Sequence, residues 1–74
     1  MKLITITPQS DAIDAPPYYV VRINDWEGKV KTCTNARVMR RHHSVVIKFA
    51  KALAKTYKCD LWDWSECPCR VIKG

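Results

Sequence analysis

An α+β fold, with a small antiparallel sheet of three or four strands and one amphipathic helix packed on one face, is what this sequence predicts. Three observations predict it. Period-two alternation of β-branched and aromatic side chains fills most of the first 33 residues. From residue 35 the apolar period lengthens to that of a helix and holds to about residue 58. Beyond it a short alternating tail resumes the strand pattern. At 74 residues, 47% of them hydrophobic, the chain has material for one domain and one core. A sheet with a single covering helix satisfies the order β, β, β, α and tail.

The first strand is expected over residues 3–7, where Leu3, Thr5 and Thr7 alternate with Ile4 and Ile6 and Pro8 withdraws a ladder donor. Residues 8–17 hold three prolines and two aspartates without periodicity and read as a connector. A hairpin over 18–33 follows. Tyr19, Val21 and Ile23 form an apolar alternate set that points to the core, Asp25-Trp26-Glu27-Gly28 reads as the turn, and Val30 alternates with Lys29 and Lys31 in the returning arm.

The helix is expected to end at residue 58 and to begin at about residue 36, or at about 44 if Ser44 caps it. Met39, His42, Val46, Phe49, Leu53 and Tyr57 are three or four residues apart, and with Ala50 and Ala54 they make its apolar stripe. In the closing segment, 59–74, Trp62 and Trp64 flank Asp63 at strand spacing and are expected in the core. Arg70 to Lys73 reads as a short edge strand.

Charge is unevenly placed. Thirteen Lys and Arg oppose seven Asp and Glu, a net +6, and nine of the basic residues lie between Gly28 and Cys59, where there is no acid. They are Lys29, Lys31, Arg37, Arg40, Arg41, Lys48, Lys51, Lys55 and Lys58. On a helix starting near 36, Arg37, Arg41, Lys48, Lys51, Lys55 and Lys58 share one face opposite the apolar stripe. A lysine-rich face is ordinary for a solvated helix, but a face selected for stability mixes signs, and this one has no acidic neighbour to relieve its self-repulsion. A phosphate backbone or an acidic protein surface supplies the missing charge. Arg22, Lys29, Lys31 and Tyr18 on the open side of the hairpin, and Trp26 at its turn, add aromatic and basic contacts of the kind nucleic acids and protein partners use.

No phosphate loop, zinc-protease motif or nucleophile elbow is present, and the adjacent His42 and His43 have no carboxylate near them in sequence. The expectation is therefore a non-enzymatic binding module without cofactor or metal. Cys33, Cys59, Cys67 and Cys69 lack the spacing of paired zinc ligands and are expected as free thiols. No apolar run reaches the roughly 18 residues of a membrane span, and the N-terminus alternates where a signal peptide would be uniformly apolar. A cytoplasmic protein without membrane association is expected. Nucleic acid is the favoured partner. The alternative is a small inhibitor, of the kind phages and mobile elements encode, that seats its basic face on an acidic surface of a larger host protein. In outline, residues 18–58, aromatic and basic strands before one helix, are similar to the three-stranded DNA-binding domains at the front of phage integrases. The Gly-Phe and Glu-Ala pairs frequent before the helix of those domains are missing.

Overall fold

The structure, a computed structural model, describes residues 1–73 and their side chains apart from that of Thr34; Gly74, the end of the expected closing segment, lies outside the described residues. The elements are β1 (Lys2–Gln9), β2 (Tyr18–Glu27), β3 (Val30–Met39), α1 (His43–Tyr57), β4 (Asp60–Asp63) and β5 (Arg70–Ile72). One sheet holds all five strands in the order β3-β2-β1-β4-β5.

The class is α+β as expected, but the sheet is mixed. β1–β2, β2–β3 and β4–β5 are antiparallel, whereas β4 runs parallel to β1, with Ile4 opposite Leu61. The cause is the helix. A hairpin returns the chain antiparallel, but a crossover the length of α1 carries it from β3 past β2 and β1 and delivers it on the far side of β1 in the same direction. The segment after the helix, read as one edge strand, supplies two strands, and β5 occupies the expected edge.

β1 runs past its expected end to Gln9. Its pairing with β4 stops at Ile6, so Pro8 lies where β1 is paired on one side only. The hairpin loop is Gly28-Lys29 and not the stretch from Asp25: Glu27 pairs with Val30, and Gly28 takes φ 61°, the positive value that the first position of a type II′ loop requires. Trp26 accordingly sits in β2, and Val30, next to the loop, is exposed.

The largest correction concerns residues 35–39. These belong to β3, which stays paired with β2 as far as Tyr19 opposite Met39, with a bulge at Ile23/Asn24. The earlier helix start is therefore wrong, and the later one holds to within a residue. Met39 packs against the core from a strand, His42 is exposed, and Ser44 lies inside the helix, whose N-cap is His42.

Ile4, Ile6, Val21, Ile23, Val46, Ala50, Ala54 and Leu61 form the buried cluster. Ala50 and Ala54 let the helix axis lie close over β1, β2 and β4. Phe49 and Leu53 pack at its margin, half-buried, while Tyr57 is 42% exposed, so the expected stripe is rotated towards the alanines. Trp62 and Trp64 are not core residues. Leu61 and Asp63 take the helix side of β4, which turns Trp62 to the opposite side, half-buried and 5.9 Å from the ring of the exposed Trp64.

Candidate functional site

Two groups of side chains stand out, a basic ridge along α1 and a polar cluster at its N-terminal end. The ridge follows from helix geometry. At about 100° per residue, Ser44, Lys48, Lys51 and Lys55 fall within an arc of about 60°, centred about 130° around the axis from Val46, Ala50 and Ala54. All four are exposed. No Asp or Glu occurs in α1, and among the described residues none of the three lysines joins an ion pair.

The other basic residues expected on this face are distributed differently, because β3 replaces the first turns of the predicted helix. Arg37 is on β3 on the helix side of the sheet, with its guanidinium 5.0 Å from the Phe49 ring centre, on the flank of α1 that faces β3 and away from the ridge. Arg40 and Arg41 lie in the link between β3 and α1. Arg40 is engaged twice, 3.0 Å from Asp11 and stacked 4.3 Å from the Tyr18 ring centre, which ties the connector to the strand ends. Arg41 is exposed and in no ion pair among the described residues. Lys58 follows the last helical residue in a left-handed conformation. Arg22, Lys31 and Trp26 lie on the opposite side of the sheet, with Lys31 5.8 Å from the Trp26 ring centre, and Lys29 is at the hairpin loop. The structure thus brings together Lys48, Lys51 and Lys55, leaves Arg37 on the β3 flank of the helix and Arg41 just before its start, and places Arg22, Lys29, Lys31 and Trp26 elsewhere.

The start of α1 has no side-chain cap. His42 makes no side-chain cap bond and the first turn holds no acid, so its free N–H groups meet only the backbone acceptor at His42, which Val45 and Val46 share. A groove of about 660 Å³ opens there, lined by Pro16, Pro17, Tyr18, Arg40, Arg41 and His42 among others.

On the β4 side of the same end lies the polar cluster that spacing did not reveal. His43, the first residue of α1, sets its Nε2 2.7 Å from Oδ2 of Asp63, the fully buried last residue of β4. Ser65 donates its backbone N–H, at 3.0 Å, and its hydroxyl to Oδ1 of Asp63. The Tyr19 ring lies tilted against His43 at 5.5 Å. Burial pushes the Asp63 carboxyl up, but the hydrogen bonds from Ser65 and His43 outweigh it together and hold the group below the usual carboxylate range. His43 and Asp63 are 20 residues apart, so no local motif announces them. One signal was present: Asp63 is in phase with Leu61, and an acid on the core face of a strand needs a partner.

The cysteines are free, Cys33 and Cys67 exposed and Cys59 and Cys69 half-buried. Among the described residues no helix is long and apolar enough to cross a membrane. No protein-family model, no curated protein and no solved structure matches the chain.

Proposed function

We propose that this protein is a small non-enzymatic module that binds nucleic acid by laying the exposed face of α1 along phosphates. The observation that carries the reading is the ridge itself: Lys48, Lys51 and Lys55 project from one arc of a rigid element, without an acid on that helix. Lys48 and Lys55 are about 10 Å apart along the axis, a span of about three base-pair steps of a duplex. Each unneutralised lysine costs the helix a little through repulsion, and a polyanion removes that cost while releasing its own counterions. Arg41, exposed just before the helix, adds a guanidinium that suits phosphate oxygens. With no sequence-reading motif beside them, these contacts position the module without selecting a base sequence.

Fluorescence polarisation with random-sequence DNA and RNA at increasing salt tests the reading. Log affinity should fall linearly with log salt, each phosphate contact adding about 0.9 to the slope on a duplex. Lys48→Glu with Lys55→Glu should weaken binding to every sequence and reduce that slope by about 2. Both residues are exposed, so folding stability should move by no more than about 0.5 kcal/mol. The competing reading, an inhibitor seated on an acidic protein surface, uses the same ridge. It forecasts no measurable nucleic-acid affinity at physiological salt and a protein complex lost on the same double substitution. Nucleic-acid affinity indifferent to that substitution would remove the ridge from the proposal.

A further inference from the structure

We infer that His43, Asp63 and Glu66 form a binding site for one divalent transition-metal ion of the zinc class, at the junction of α1, β4 and the loop leading to β5. Each offers one donor atom, and the three atoms lie within 4.8 Å of one another. They come from two distant parts of the chain: the first turn of the helix, and the end of β4 with the turn that follows it. Convergence of this kind is made by the tertiary fold, unlike a run of acids along one surface loop.

The geometry is close to what coordination needs. Donors bound at about 2.0 to 2.2 Å in a tetrahedral shell sit about 3.3 Å from one another. His43 Nε2 and Asp63 Oδ2, now 2.7 Å apart, have to open by less than an ångström, and Glu66, being exposed, is free to swing inward. Asp63 is already oriented as a ligand. Its Oδ1 is occupied by the N–H and hydroxyl of Ser65, which directs Oδ2 towards the imidazole, and such outer hydrogen bonds are what fix metal-binding carboxylates. The His43 side chain is 31% exposed, so an ion has an entry path from solvent, while Asp63 closes the inner side.

The donor set selects the ion. One imidazole with two carboxylates suits zinc and its neighbours, whereas calcium and magnesium favour all-oxygen shells. Three protein ligands leave a fourth position for water or an incoming group. The start of a helix is an unfavourable place for a cation, and the two carboxylates offset that by bringing two negative charges to it. None of the four cysteines belongs to this group. The proposal is independent of the nucleic-acid reading, because the metal is measured with no nucleic acid present.

The test uses the full chain with Cys67→Ser and Cys69→Ser, in reductant that does not chelate, titrated with Zn²⁺ against a chromophoric competitor and separately with Co²⁺. One ion per chain is expected, with the visible absorption of tetrahedral Co²⁺ and without the near-ultraviolet band of a thiolate ligand. Glu66→Gln should weaken binding at least about tenfold and Ser65→Ala by about 10 to 100-fold. His43→Gln should abolish it. Glu66 is exposed, so its substitution leaves the fold intact even if that of His43 does not. Absence of one-to-one binding in this background overturns the site. So does binding that Glu66→Gln leaves unchanged, or a cobalt spectrum dominated by thiolate.

Discussion

Cys59 shows at the scale of one residue how the fold sets chemistry that composition leaves open. Its neighbours in the structure are the end of α1 and the start of β1, and it packs against the buried cluster while Cys33 and Cys67 face solvent. Burial pushes the Cys59 thiol up, and Asp60 adds to this, against smaller opposing effects of the Ile4 backbone and Lys2. Less thiolate at a given pH means slower reaction. Iodoacetamide at neutral pH, followed by peptide mass spectrometry, should therefore modify Cys33 and Cys67 well before Cys59, and the difference should vanish in denaturant. Equal native rates would show that Cys59 is not packed as described. The same lesson applies to Asp63: a buried acid is tolerated only because Ser65 and His43 meet both of its oxygens.

Both ends of α1 are capped by backbone groups alone. At the N-terminus His42 has no cap bond. At the C-terminus the amide of Lys58 reaches Lys55 O at 3.3 Å and that of Cys59 reaches Ala54 O at 3.0 Å, the paired bonds of a Schellman motif. The residue that closes this motif must be left-handed, and Lys58 takes φ 55° and ψ 49°. A side chain with a Cβ pays about 1 to 2 kcal/mol for that conformation, and glycine does not. Lys58→Gly is expected to raise the urea midpoint, by up to about 1 kcal/mol in stability, with the helix ending unchanged. A lower midpoint would mean that the lysine side chain stabilises the fold by more than its backbone strain costs. In the same element, the three ridge lysines are legible in sequence because they repeat at helical spacing within a segment that is helical. Arg37 matches that spacing too, but its segment is claimed by β2, which pairs with β3 as far as Met39, and Arg41 lies in the link beyond.

For the molecule as a whole, stability rests on one sheet and one helix closing over a small aliphatic core. The buried cluster draws on β1, β2, α1 and β4 and includes no crosslink, since all four cysteines are free. Melting temperatures measured with and without reductant should therefore agree. A drop of several degrees in reductant would reveal a disulfide and refute this account, because removing a native bridge from so small a domain costs about 2 to 5 kcal/mol. The topology adds a kinetic consequence. The β1–β4 pairing joins residues nearly sixty apart in sequence, and pairing at such separation slows folding relative to local contacts.

By itself the sequence determined whatever depends on neighbours within a turn or a strand. Tyr19, Val21 and Ile23 face the helix as their alternation requires, the helix body from Ser44 onward follows from its period, and Lys48, Lys51 and Lys55 share a face because they are three and four residues apart. Tertiary structure decided the rest. Residues 35–39 satisfy a helical and an extended pattern together, and the competition was settled by hydrogen bonds that an adjacent strand offered and a lone helix turn lacked. The direction of β4 beside β1, the outward turn of Trp62 and the meeting of His43, Asp63 and Glu66 all follow from where the α1 crossover returns the chain. That destination depends on which apolar faces can close over one another in three dimensions, and local periodicity carries no record of it.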